Sequence, residues 1–414
     1  MFTLPLAALI AAQLPLESGD GLRATLPLAG RTLIEFQART AHGAGAGRII
    51  LLVETIPAAL AQAVDRLRRD GVVIEVARSA GDAADRFHVD DRILLMADGC
   101  FIGQQLVDRL VACPAPALLI VPDMAEYGLF ERIDSEARWA GHALIDAGRL
   151  QETVRQLGDW DLTSTVLRRL VQAGAVRIAA LGPADGEDAG LPPIIAVDAN
   201  SLRAVERWLM RQPADAEGDW AGRYIHRLIA APLLAPVVNR KIEPLAVAAG
   251  SVATAIITAI FAIFGFLWVA ALLLPISAAA FSLARRMARI WWAEVPYART
   301  ALAVRRTAAL LALMALSRQL VETGGWGWWG VAAAIPLGLT ALAALRPIAS
   351  AVGANAWPSW LPRDDGLIWL MPCLAILLGW AGALAALALY VCMAFAWQFE
   401  ATRKQAISVI TRSS

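Results

Sequence analysis

Leu245-Ala-Val-Ala-Ala-Gly-Ser-Val-Ala-Thr-Ala-Ile-Ile-Thr-Ala-Ile-Phe-Ala-Ile-Phe-Gly-Phe-Leu-Trp268 contains no charged residue. A bilayer core of about 30 Å is crossed by about 20 apolar residues in a helix, so this stretch is long enough to span it. Further apolar stretches follow at 265–284, 302–321, 328–347 and 367–397. In the other direction the run ends at Arg240 and Lys241, and the residues before them have the mixed composition of a water-soluble domain. The chain therefore reads as a soluble domain fused to a membrane domain. The mean hydropathy of +0.55 and the 58% apolar content are averages over two unlike halves.

Charge patterning orients the membrane half. Arg223, Arg227, Arg240 and Lys241 precede the first span, and Arg285, Arg286, Arg289, Arg299, Arg305 and Arg306 follow the second. The positive-inside rule places both groups in the cytoplasm, with two crossings between them and a tight turn at Gly265–Phe266. Thr323 to Trp329 carries three tryptophans and no Lys or Arg, which suits the opposite interface. The last run, 367–397, is long for one upright helix and short for two. A split near Gly379–Gly382 gives six spans and leaves Arg403, Lys404 and Arg412 in the cytoplasm; one long tilted helix gives five. Between the halves, Gln212 to Asp219 reads as a linker, and Trp220 to Val238 as either an interfacial amphipathic helix or a packed connector.

The soluble half alternates short β-branched runs with helix-period segments. Strands are expected at 6–12, 48–53, 72–77, 93–97, 117–121, 177–181 and 194–197, with helices at 32–42, 56–69, 101–112 and 163–173. This alternation implies βαβ units, a mainly parallel sheet and ligand chemistry at the carboxyl ends of its strands. Leu6 to Ala12 reads as a buried strand rather than a signal peptide, because no Lys or Arg precedes Arg23. Asp98 follows the strand at 93–97, and Asp198 follows the one at 194–197. Two strand-end aspartates can hold Mg²⁺ against a nucleotide phosphate, and each can equally cap a helix or close a turn. Cys100, Cys113, Cys373 and Cys392 lack metal-ligand spacing and read as small buried hydrophobes. The four histidines are scattered without ligand spacing. A net charge of +1 argues against nucleic acid as a partner.

Residues 5–212 resemble the nucleotidyltransferase-like superfamily of the sugar-phosphate nucleotidylyltransferase type. Leu26-Pro-Leu-Ala-Gly-Arg-Thr-Leu-Ile-Glu-Phe-Gln37 is similar to the segment that opens the helix after that family's nucleotide loop. Ile93 to Asp98 is similar to the strand carrying its first metal aspartate, and Ile195-Ala-Val-Asp-Ala-Asn-Ser-Leu-Arg-Ala-Val-Glu-Arg207 to its late acidic phrase. The resemblance implies a Rossmann-like α/β domain over 1–212. It also implies Mg²⁺ on Asp98 and Asp198, and nucleotide contacts from Gly19, Gly21, Arg23 and Arg31. In the implied reaction a phosphorylated substrate attacks the α-phosphate of a nucleoside triphosphate and pyrophosphate leaves. The sequence departs from the pattern at Leu14, Pro15 and Leu16, where a glycine-rich phosphate loop would stand.

Residues 213–243 and 244–414, read as a lead-in and an all-α bundle of about six transmembrane helices, resemble the fused CDP-alcohol phosphatidyltransferases. That family's metal-binding aspartates are absent, since no aspartate occurs between Leu245 and Arg363. Phosphatidyl transfer by that mechanism is therefore not expected. Arg285, Arg286 and Arg289 remain as topology determinants or as ligands of lipid phosphates. The expectation is a multi-pass protein of the inner membrane, serving phospholipid or polar-head-group metabolism, with its N-terminal domain in the cytosol. It would be either an enzyme or a non-catalytic binding partner derived from one. Its partners would be the bilayer, a nucleoside triphosphate with a phospho-alcohol, and a second copy through the membrane domain.

Overall fold

The computed structural model describes residues 5–16, 19, 21–157, 160–181, 191–211, 220–240, 242–292, 295, 297–351, 358 and 360–413. The expected linker at 212–219, Lys241 and Glu294 lie outside the described residues. The chain divides into two compact units, a soluble one up to Gln212 and a helical one beyond it. Trp291 and Trp292 belong to the soluble unit.

The soluble unit is an α/β domain. In chain order it comprises β1 (Leu6–Ala11), β2 (Pro27–Leu28), β3 (Arg31–Thr32), α1 (Leu33–Gly43), β4 (Arg48–Leu52), α2 (Ala58–Arg69), β5 (Ile74–Ala77) and α3 (Ala80–Asp85). It continues with β6 (Arg92–Met96), β7 (Cys100–Phe101), α4 (Gln104–Val111), β8 (Ala117–Pro122), β9 (Ala137–Asp146), α5 (Ala147–Arg155) and α6 (Leu162–Gln172). It closes with β10 (Val176–Ala179), β11 (Ile194–Ile195) and α7 (Arg203–Arg211).

Seven strands form one sheet in the order β10-β8-β9-β6-β1-β4-β5. β1 lies inside it, next to the central β6, and is parallel to β4 and β6. Its Ala-Ala-Leu-Ile run is buried on both faces, which is why it carries no polar alternation. The single antiparallel member is β9, between β6 and β8. This ten-residue strand is absent from the strands expected above, because Gly141 and His142 interrupt its apolar pattern. A further correction concerns 194–197: only Ile194–Ile195 is a strand, and it pairs antiparallel with β7, outside the main sheet.

The helical unit opens with a π-helical turn, Ala221–His226, and α8 (Arg227–Asn239). Five helices then have the length and apolarity to cross a membrane: α9 (Pro244–Ile263), α10 (Leu267–Ile290), α11 (Ala298–Gly324), α12 (Gly327–Ala351) and α13 (Asp364–Ser413). Gly265, at φ +85°, makes the expected turn between α9 and α10. These two helices are joined by a buried reciprocal pair, Ser251 Oγ to Ser277 O at 2.8 Å and Ser277 Oγ to Ser251 O at 2.8 Å. Such bonds hold helices together where lipid offers no polar partner.

α13 is not one straight rod. Gly379 has φ 72° and ψ 172°, a conformation open essentially to glycine alone. A straight helix would separate residues 364 and 397 by about 50 Å at the usual rise per residue. Instead the ring of Trp360 lies 5.0 Å from that of Trp397, and the Tyr390 hydroxyl donates to the Trp360 carbonyl. The chain therefore turns back at Gly379, within the stretch where the sequence suggests a split. Cys373 and Cys392 are exposed on this hairpin, unlike the fully buried Cys100, which corrects the expectation for those two.

Candidate functional sites

Asp98 sits just beyond β6, where a strand-end ligand is expected. Its Oδ2 accepts the backbone N–H groups of Gln13 and Leu14, each at 2.6 Å. Its Oδ1 is buried and has no hydrogen-bond partner. Burial pushes the carboxyl up to about 6, against the opposing pull of the two amides and Arg23. A buried carboxylate with a raised pKa at a strand end marks a functional candidate.

The next residue, Gly99, brings the other expected pieces together. Its carbonyl accepts the Ala196 N–H at 2.7 Å. A Cβ at Gly99 would stand 2.9 Å from the Ala196 carbonyl and 3.5 Å from the Arg23 side chain, so the residue must be glycine. Arg23 and the segment leading to Asp198 thus converge beside Asp98. Asp198 itself is exposed, and its oxygens accept from the Ser201 N–H at 2.8 Å and the Asn200 amide at 3.2 Å. The Ser201 N–H, outweighing the little burial there, holds its carboxyl below the usual range. That is the turn-closing role of an aspartate ahead of a helix, here α7.

The loop after β1 has the two expected glycines, Gly19 at φ +84° and Gly21 at φ +117°. Three of its described amides, however, are bonded within the loop. Leu16 N donates to Gly21 O at 3.0 Å, Gly19 N to Leu16 O at 3.0 Å and Arg23 N to Leu14 O at 2.9 Å. With Gln13 and Leu14 held by Asp98, these N–H groups are not directed at an incoming phosphate. Arg31 is likewise engaged. Its guanidinium lies 4.2 Å over the Trp291 ring and 3.7 Å from Glu35, and burial lowers its pKa. Trp291 is fixed in turn by its Nε1–H to the Ala29 carbonyl at 2.6 Å, while Trp292 stacks on Phe101 at 5.7 Å. Mg²⁺ therefore finds one suitable donor here, Asp98 Oδ1, and no cluster of three ligating side chains occurs among the described residues. Cys100 and His142, 3.7 Å apart, are both buried in the core, which raises the thiol pKa and lowers the imidazole to about 4. That pair is inert packing.

The helical unit holds a cavity of about 1020 Å³. Its deeper walls are apolar, among them Leu267, Leu274, Leu313, Leu316, Ile335 and Leu387. Its other end is lined by Arg285 and Arg289 of α10, Arg305 and Arg306 of α11, Arg346 of α12, Arg363, and Asp364 and Asp365 of α13. These positions coincide because the end of α10, the start of α11, the end of α12 and the start of α13 share one end of the bundle. Arg286, grouped above with Arg285 and Arg289, is not among the lining residues. Arg305 is almost fully buried, paired with Asp365 and placed 5.3 Å over the Phe281 ring. Arg306 Nε donates to Asp364 Oδ2 at 2.7 Å.

His226 also lines this cavity, from the π-helical turn. Its Nε2 accepts the Trp369 indole N–H at 3.0 Å, which places the ring proton on Nδ1. Burial is the main reason its pKa is lowered, so the neutral form prevails. Arg305, Arg306, Asp364 and Asp365 are absent from the sequence-derived site because α11 and α13 meet only in the fold. The available signal was a pair of adjacent arginines and a pair of adjacent aspartates 58–60 residues apart. No protein-family model matches the chain, and no curated protein is significantly similar to it in sequence.

Proposed function

We propose that this is a multi-pass membrane protein of phospholipid or polar-head-group metabolism whose helical unit binds an anionic amphiphile. The cavity carries this reading: it combines apolar walls suited to acyl chains with guanidinium groups suited to a phosphate. Arginine presents a planar fork that matches phosphate oxygens, and six such groups line one end of the cavity. In this reading the two arms of α13 each cross the bilayer, making six crossings, and the arginine-rich end faces the cytoplasm. The soluble unit is then a nucleotidyltransferase-like module that no longer transfers nucleotides, since its loop amides are bonded internally.

A second reading keeps nucleotide chemistry in the soluble unit. It is favoured by Asp98, whose buried Oδ1 has no partner. Mg²⁺ on that oxygen would neutralise the phosphates of a nucleoside triphosphate beside Arg23.

Both readings can be tested on the full chain in nanodiscs. Phospholipid retained after purification is identified by mass spectrometry, with Arg285→Gln/Arg289→Gln as the comparison. Enrichment of anionic over zwitterionic lipid, lost in the variant, is expected; equal retention of both lipid classes refutes the first reading. Mg²⁺-dependent binding of a nucleoside triphosphate that Asp98→Asn abolishes would establish the second.

A further inference from the structure

We infer that His226 and Arg305 form the seat for the phosphate of the bound amphiphile, each offering a donor that the protein leaves unfilled. The inference rests on the cavity being a site for an anionic amphiphile, and it names the groups that take its head. Both residues line the cavity and both are almost fully buried, at 1% and 2% exposure. Arg305 gives Nη2 to Asp365, while its Nε is buried without a hydrogen-bond partner. His226 is bonded to Trp369 through Nε2, and its Nδ1 has no partner among the described residues. Asp365 and Trp369 lie one turn apart on α13, so their side chains share a face with Cβ atoms about 5–6 Å apart. The groups they hold, Arg305 and His226, are therefore neighbours although they belong to different helical segments. After burial, the largest influences on the imidazole's pKa are Asp365, which raises it, and Arg305, which lowers it.

Trp369 decides what His226 can offer. An indole N–H only donates, so Nε2 keeps its lone pair toward it and the ring proton stays on Nδ1. A doubly protonated ring would set two N–H groups against each other. Nδ1–H is therefore a donor that cannot accept, and the same is true of every nitrogen of Arg305. A buried donor without an acceptor costs free energy that a ligand oxygen recovers. A phosphate brings at least two free oxygens, so it can take a donor from each residue at once. It does so without displacing Asp365 from Arg305, because it uses only what that pair leaves over. An ammonium headgroup has no acceptor for either donor. The π-helical turn that carries His226 is itself a rare conformation found frequently at functional sites.

The test measures binding of dioleoylphosphatidylglycerol to the full protein in detergent by native mass spectrometry. Glutamine at 226 can place its amide oxygen where Nε2 stands and keep the Trp369 bond, but it has no donor at Nδ1. Asparagine places its amide nitrogen where Nδ1 stands and gives up Trp369. His226→Gln should therefore weaken binding by about tenfold or more, the worth of one hydrogen bond to a charged group, and His226→Asn should keep most of the affinity. Arg305→Lys, which keeps the charge for Asp365 and loses the guanidinium fork, should weaken binding as well. Wild-type affinity in His226→Gln or in Arg305→Lys overturns the inference and leaves the broader reading standing. The reverse order, with asparagine weak and glutamine unaffected, also overturns it, by showing that His226 serves only to hold Trp369. Should the variants not fold, the wild-type protein decides. A phosphatidylglycerol with a photoreactive headgroup should label the segments around His226 and Arg305, and labelling confined to other segments overturns the inference. If wild type does not bind the lipid, the broader reading fails as well.

Discussion

The surroundings of Asp98 and the arginine-lined cavity solve opposite problems. The first bury one carboxylate and satisfy one of its oxygens with the protein's own amides from Gln13 and Leu14. The cavity gathers six guanidinium groups around two carboxylates, at one end of an apolar space. Three described amides of the loop after β1 bond to the loop itself, whereas the arginines that line the cavity come from four different segments of the chain. In the reading proposed above, anion binding falls to the helical unit, where two of the three arginines expected as lipid-phosphate ligands, Arg285 and Arg289, line the cavity.

The strongest way to break this comparison is to disturb the soluble unit's saturated ion network. Glu35 is fully buried and takes both Arg66 nitrogens, at 2.9 and 2.8 Å. It also accepts the Thr32 N–H at 2.9 Å and lies 3.8 Å from Arg39. Burial pushes this carboxyl up, but the Arg66 hydrogen bonds and the other partners outweigh it and hold the pKa below the usual value. Glu35→Gln removes the buried charge that Arg66 bonds, while Arg39 keeps Asp70 at 2.6 Å, and should destabilise the unit by about 3 kcal/mol, read by hydrogen exchange of α1. The sign of the pH effect follows from the depressed pKa. Stability from Glu35 is present above its unfolded value and is lost as pH falls through the folded one, so the variant should respond less to acid.

Gly379→Ala tests the hairpin on which the cavity depends. No atom would clash with the added Cβ, so the whole penalty comes from the backbone conformation. Destabilisation of about 1–3 kcal/mol is expected in detergent unfolding. A neutral result would mean that the turn at Gly379 does not define the helical unit.

The smallest effect has the opposite sign. Asp98→Asn keeps an acceptor for the Gln13 and Leu14 amides and removes a charge that burial disfavours. Because the folded pKa is raised to about 6, the native state binds the extra proton between the unfolded value and 6, and stability falls as pH rises through that window. The variant should therefore be more stable than wild type at pH 7 by about 1–2 kcal/mol. Equal thermal unfolding of the two proteins at pH 7 would remove the case for Asp98 as a carboxylate kept at the expense of stability.

Much of the fold is legible along the chain. Hydrophobic length identifies the first span, although the helix stops at Ile263 before the apolar run ends at Trp268, and β-branched runs locate β1, β4, β6 and β8. β9 escapes that reading because Gly141 and His142 break its pattern, although its neighbours bury all of it but Arg138 and Asp146. The candidate sites are less legible. Asp98 is visible as a strand-end acid, but whether its partners are a metal and phosphate or its own loop depends on hydrogen-bond geometry. Arg31 reads as a phosphate ligand until Trp291, 260 residues later, is found beneath it.

Local chemistry alone determined that the protein pairs an α/β domain with a membrane bundle, because periodicity and apolar length are properties of neighbouring residues. It also determined that no aspartate lies between Leu245 and Arg363. Tertiary structure decided which charges meet. Arg305 and Asp365 meet because the start of α11 and the start of α13 share one end of the bundle. An ion pair spanning 60 residues is set by packing, which no local pattern encodes.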